Sequence, residues 1–292
     1  MDILRLCICY GSFPLVFLAA QFSAYWGIKQ GFEHPIVLAA IVICTALIIL
    51  ILERIHPAHK RWNQSHQDIA TDATHALISQ IVLPKLLEFT ILAVILGFSI
   101  QLSESMNLIL WPDSWSIGLQ LILAMLISQF GEYWWHRLLH EQPLLWRLHS
   151  IHHSPERLYW LNAARFHPLD TAGSYCIAVI PLGILGIGPD VLLLISVWIA
   201  VHGLFQHCNI HLRLGPLNYI FSMAELHRWH HSLQLEEANN NYGNNIIFWD
   251  LIFGTFYLPK DKDASGDIGL ANTSDFPKDY LGQLVVPWRW KW

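Results

Sequence analysis

Charge is what this chain has least of. Lys, Arg, Asp and Glu make up 13% of its 292 residues, against 54% hydrophobic side chains, and the mean hydropathy is +0.38. Soluble domains carry about a quarter charged residues, so the composition argues against an ordinary water-soluble fold and predicts a membrane protein. A basic excess is missing as well. The formal net charge is -5 and no Lys/Arg-rich run is present, which removes nucleic acid as a partner. The cysteines, five in number, are an odd set, and Cys44 and Cys176 fall inside apolar runs where a thiol behaves as a small hydrophobe. No disulfide framework is expected. No Gly-x-Gly-x-x-Gly opens a helix and no cysteine cluster occurs, so the chain has no flavin, nicotinamide or iron–sulfur signature of its own. What it does have is 17 histidines, as many as Lys and Arg together.

Runs of roughly 20 apolar residues can cross a hydrocarbon core of about 30 Å. Tyr10 to Ile28 and Pro35 to Leu52 meet that length and are joined by a short turn. The first lacks a small-residue cleavage pattern and reads as a retained span, not a signal peptide. A third run begins near Ala76, but Pro84, Lys85 and Glu88 place the start of its span about there, and a fourth runs from Ile117 to about Trp135. Gly173 to Phe205 is interrupted at Gly186-Ile187-Gly188-Pro189-Asp190. Its halves read as about 15 to 17 residues each, short for a full crossing, and predict a hairpin that re-enters or just spans the membrane. Arg54, Lys60 and Arg61 lie between the second and third spans, while Gln101 to Ser116 has no Lys or Arg. The positive-inside rule then puts both termini and everything after the fourth span on the cytoplasmic side. The aromatic tail Trp288 to Trp292 suits the membrane interface. With no internal repeat and no linker, residues 1–292 read as one integral membrane domain. The expected fold is all-α: a multi-pass bundle of about four spans plus a short membrane hairpin, with a histidine-rich cap on the cytoplasmic side.

Four histidine boxes carry the chemistry. The fourth span ends in Trp134-Trp135-His136-Arg137-Leu138-Leu139-His140, and nine residues on comes His149-Ser150-Ile151-His152-His153. Downstream the alternation recurs as His207-Cys208-Asn209-Ile210-His211 and His227-Arg228-Trp229-His230-His231. Residues three and four apart share a helix face, so each box can offer two or three imidazoles to one point. One such pair alone is more often a surface or core feature, but ten buried imidazoles would each need a donor and an acceptor satisfied. Metal coordination accounts for all of them together. Imidazole suits iron, zinc, copper and nickel alike. A structural zinc site closes at four ligands, so ten favour a dinuclear redox centre.

These boxes resemble those of the fatty acid hydroxylase and sterol desaturase superfamily. The likeness covers roughly Gln129 to Pro259, within a candidate catalytic region of residues 117–259, and includes Gly131-Glu132-Tyr133, Asn241-Tyr242-Gly243 and Trp249-Asp250-Leu251-Ile252-Phe253-Gly254-Thr255-Phe256. With Leu214-Gly215-Pro216-Leu217, the last two segments look most like the alkylglycerol monooxygenase branch and its bacterial relatives, which use a pterin reductant. Carried over by position, the resemblance implies metal ligands at His136, His140, His149, His152, His153, His207, His227, His230 and His231. His211 completes its box but has no clear counterpart in the ether-lipid branch. His167, before Pro168, is similar to a His-Pro pair of the sterol-type members, and His202 is a further polar group on the returning helix.

A ligating imidazole gives its other N–H to a carboxylate or carbonyl, which makes Glu132, Asp170, Glu225 and Asn241 candidate orienters. The implied activity is dioxygen-dependent hydroxylation or desaturation of a fatty acyl, ether-lipid or sterol-like molecule at two iron ions. Electrons would come from a donor protein or pterin on the cytoplasmic side. The implied setting is the inner membrane of a bacterium or the endoplasmic reticulum of a eukaryote. The alternatives are a zinc-dependent intramembrane hydrolase, for which a His-Glu-x-x-His motif is missing, and a non-enzymatic metal- or proton-handling protein, for which intramembrane acids are scarce.

Overall fold

The computed structural model describes residues 3–106, 110–264, 266–271 and 275–290; of the aromatic tail, Lys291 and Trp292 lie outside them. Twelve α-helices form among these residues: α1 (Ile3–Gln30), α2 (His34–Ile55), α3 (Ile69–Leu77), α4 (Leu83–Met106), α5 (Ile117–Glu141), α6 (Pro143–His153), α7 (Pro168–Leu185), α8 (Pro189–Gln206), α9 (Ala224–His230), α10 (Leu235–Ala238), α11 (Phe248–Phe253) and α12 (Tyr280–Arg289). The only departures from helix and loop among the described residues are three isolated antiparallel bridges, such as Phe221 with Ile246.

Among the described residues, four helices are long and apolar enough to cross a membrane: α1, α2, α7 and α8. Their outward faces are apolar: Leu15, Leu18 and Phe22 on α1 and Ile36, Ile43 and Ile51 on α2 are exposed, a surface that lipid, not water, would cover. The hairpin corrects the reading of two short halves. Gly186, at φ 83°, closes α7 in the left-handed conformation and Pro189 opens α8, so only three residues are lost to the turn and each helix keeps 18. At 1.5 Å per residue that is about 27 Å, close to the hydrocarbon thickness. The runs read as third and fourth spans become α4 and α5, with α4 starting where Pro84 and Lys85 placed it, after a π-helical turn, Ile78–Val82. α7 packs against α4 and α5, and α8 against α1, α2 and α5.

All six long helices bring one end to the same cap. Arg213 N–H donates to the Cys9 carbonyl at the start of α1 (3.0 Å), while Glu53, near the end of α2, accepts the backbone N–H groups of Trp160 and Asn209 (2.9 Å each). Within the cap the buried Arg157 guanidinium makes a two-pronged contact with Asp68 (2.6 and 2.7 Å). Arg165 pairs with Asp72 (2.5 Å), which also accepts the Tyr159 hydroxyl (2.7 Å). These charges pair with one another in a low-dielectric setting, which fixes the loop between α6 and α7.

Candidate metal centre

The helix ends decide where the imidazoles go. α5 runs past its apolar segment into the cap and carries His136 and His140 on one face. Pro143 at the first position of α6 turns the chain at once into the helix bearing His149, His152 and His153. His207 caps the end of α8, and the short α9 brings His227, His230 and, at its own cap, His231. Nine rings gather into two groups, His136, His140, His149, His153 and His230 in one and His152, His207, His227 and His231 in the other. Within each, one potential ligand atom per residue lies within 4.8 Å of all the others. The groups adjoin, with the His153 and His231 ring centroids 4.3 Å apart. All nine are buried except His140, which is partly exposed.

Most outward nitrogens are tied. In the five-histidine pocket, Nδ1 of His136 donates to the Tyr242 carbonyl (2.7 Å), that of His230 to the Asn240 carbonyl (2.8 Å), and that of His149 to the Asp170 carboxylate (2.8 Å). His140 Nδ1 faces Asn239 Oδ1 at 3.3 Å. In the four-histidine pocket, His207 Nδ1 donates to Asn162 Oδ1 (3.0 Å) and His152 Nδ1 to the Arg165 carbonyl (3.3 Å). With the proton held on Nδ1, the Nε2 lone pair points inward. Burial, reinforced by neighbouring rings, holds His149, His152, His153, His227, His230 and His231 well below the ordinary histidine pKa, so they are neutral and able to bind metal.

The inward spacing fits metal ions. With imidazole–metal bonds of about 2.1 Å, two ligands at a right angle on one ion sit about 3.0 Å apart and opposite ligands about 4.2 Å. The Nε2 atoms of His136 and His149 are 3.0 Å apart, and that of His227 lies 2.8 Å from His207 and 3.0 Å from His231. One ring nitrogen has a single proton or a single lone pair, so His227 Nε2 cannot satisfy both neighbours by hydrogen bonding. The buried Nε2 atoms of His140, His153 and His230 have no hydrogen-bond partner at all, a heavy cost unless a cation takes their lone pairs. The two clusters are consistent with a dimetal site.

The fatty acid hydroxylase family model matches residues 121–255, the stretch that contains every one of these clustered histidines. Across 278 residues, 94% of this chain, the sequence is 37% identical to the ornithine lipid hydroxylase OlsE of Rhizobium tropici, covering 82% of that protein. The chain belongs to the fatty acid hydroxylase family. It is a membrane oxidoreductase of that family, and its relatives include lipid hydroxylases and monooxygenases. Human alkylglycerol monooxygenase is 31% identical over 182 residues, 62% of this chain and 40% of that protein. Methylsterol monooxygenase 2-2 of Arabidopsis thaliana is 28% identical over 150 residues, 49% of this chain and 54% of that protein. The chain thus spans only about half or less of these two monooxygenases. No solved structure matches.

Within this family site, the structure does not bring His211 to either pocket. The expectation rested on helical i, i+4 spacing from His207, but α8 ends at Gln206 and residues 207–211 are not helical. His211 turns away and stacks on His56 (5.4 Å, 6° between planes), its backbone N–H donating to the His56 carbonyl (3.0 Å). His167 is the N-cap of α7, accepting from the Leu169 N–H and donating to the Leu284 carbonyl. His202 is buried beside Phe13 and Phe221.

Of the four expected orienters, only Asp170 touches a clustered ring. Glu132 accepts from Ser174 (2.6 Å) and Asn244 (2.6 Å) instead, tying α5 to α7. Glu225 holds Arg213, the Leu214 N–H and Asn218, and so seats α9. Asn241, at φ 54°, clamps the backbone of Leu226 and Tyr257, which sets the carbonyls of its neighbours Asn240 and Tyr242 against His230 and His136. Sequence reasoning missed Asn162, Asn239 and Asp250. The Asp250 carboxylate accepts both the Tyr242 and Gly243 N–H groups (2.7 Å each); its place in Trp249-Asp250-Leu251 was the available signal.

Proposed function

We propose that this protein holds two iron ions, one in each histidine pocket, and hydroxylates a C–H bond of a membrane lipid with dioxygen. The supporting observation is the convergence of nine neutral imidazoles into two adjoining pockets whose inward nitrogens otherwise lack partners. His136, His140, His149, His153 and His230 would hold one ion, and His152, His207, His227 and His231 the other. Such a pair supplies the activation of dioxygen and the removal of hydrogen from an unactivated carbon.

The chain's own work is positioning. Asp170, Asn162 and the Tyr242, Asn240 and Arg165 carbonyls fix ring orientation before any substrate arrives. The pockets sit at the ends of α5 and α8, where a lipid moving along the bundle would meet them. Near full-length similarity to an ornithine lipid hydroxylase favours a polar membrane lipid, an ornithine lipid first. With Lys60 and Arg61 at the cap end, the positive-inside rule favours a cytoplasmic position for the pockets, where a donor would deliver electrons.

The test is expression of the gene in cells lacking it, with lipid profiling, beside metal analysis of purified protein. The expected result is close to two irons per chain and a lipid species heavier by one oxygen, formed only in air. Zinc alone with full activity under anaerobic conditions would point to the hydrolase instead.

A further inference from the structure

The two pockets are not built alike. In the five-histidine pocket four outward nitrogens have acceptors, and one acceptor is a carboxylate: Asp170 Oδ2 takes the His149 proton at 2.8 Å while Oδ1 accepts from Trp135 Nε1 at 3.2 Å. Asp170 and His149 are each 2% exposed, so water does not dilute the contact. In the four-histidine pocket only neutral oxygens serve, on His207 and at the longer 3.3 Å on His152. The buried outward nitrogens of His227 and His231 have no partner. A hydrogen-bonded outward nitrogen fixes the ring and makes the inward one more basic, a carboxylate doing so more than a carbonyl. Losing such a partner typically costs 10- to 100-fold in metal affinity.

We propose that the two metal sites are unequal by construction: the five-histidine pocket holds its ion tightly, with Asp170 as the positioning residue for His149, and the four-histidine pocket holds the exchangeable ion. This rests on the dimetal reading above. Ligand number and outer anchoring act in the same direction, since the pocket with fewer rings also has the rings freer to turn. The four-histidine ion is then the one with coordination positions to spare.

The test uses full-length protein in detergent, loaded anaerobically to two ferrous ions per chain and mixed with excess chelator, with metal per chain followed over time. Two phases of one ion each are expected. His231→Ala should remove the fast phase and leave the slow one. Asp170→Asn should speed the slow phase at least about tenfold without changing the fast one, and Asp170→Glu should restore most of the difference; a merely unfolded variant would release both ions faster. Release of both ions in one phase, or an Asp170→Asn effect on the fast phase, would overturn the ranking and leave the dimetal reading standing. If Asp170→Asn fails to fold, the wild-type and His231→Ala traces still decide. Protein that never retains two ions of any metal would overturn the dimetal reading, and the ranking with it.

Discussion

His149 and His230 each combine an inward lone pair with an outward proton fixed on an oxygen, so removing either ring deletes a ligand and strands its acceptor. His149→Ala and His230→Ala should lower turnover at least about 100-fold and metal content to near one ion per chain, read by elemental analysis. His211→Ala should keep turnover within about twofold, because its ring packs on His56 and reaches neither pocket. Asp250→Asn is a subtler case. Tyr242 and Gly243 each donate to one carboxylate oxygen, and an amide has one acceptor for two donors. The loss of about 1–3 kcal/mol falls on the segment whose carbonyl orients His136. The expected outcome is a lower melting temperature together with faster metal release.

At the level of elements, α5 and α7 meet through glycines. A Cβ on Gly131 would come 2.4 Å from Ile177 Cγ2 and 3.1 Å from the Ile177 carbonyl, and one on Gly173 would come 2.3 Å from the Trp135 ring. This close crossing lets Asp170 on α7 reach His149 beside α5. Gly131→Ala should cost about 1–3 kcal/mol by overpacking and spread the two helices, a change that thermal unfolding in detergent can measure. In the cap, burial pushes the Asp68 carboxyl up, but bonding to Arg157 and its charge outweigh that and hold it below the ordinary value. The sign is that of a depressed carboxylate: its stabilisation is present above the unfolded pKa of about 3.9 and lost as pH falls below it. Acid titration of stability should therefore show a loss below about pH 4 that Arg157→Gln removes.

The helices bearing boxes were legible because span ends and i, i+4 histidines follow from one periodicity, and Asp170 was legible only as one of several polar residues able to accept an imidazole N–H. His211 misled because the same spacing was read where the helix had stopped. Tyr242, Asn240 and Arg165 were illegible as orienters since they act through backbone carbonyls, which no side-chain pattern encodes. Asn162 could not be found by spacing, because the turn that aims it at His207 depends on Arg157 and Tyr159 packing against α3.

At the level of the whole molecule, the six long helices share one capped end. Single cysteines at Lys60 and Asp261, in a cysteine-free background, should react with an impermeant maleimide from the side opposite to those at Gln30 and Asp113. Nine imidazoles, eight of them buried, crowded without cations should also leave the metal-free protein less stable. Chelation is expected to lower the melting temperature, and added iron to restore it in a concentration-dependent way. Both pockets draw on rings from before and after the α7–α8 hairpin: His136, His140, His149 and His153 await His230, and His152 awaits His207, His227 and His231. A nascent chain therefore has no complete pocket until the hairpin has been inserted and the ribosome has passed residue 231. Metal loading would thus require the hairpin to be in place, and a chain halted before residue 231 would stay chemically silent in the bilayer.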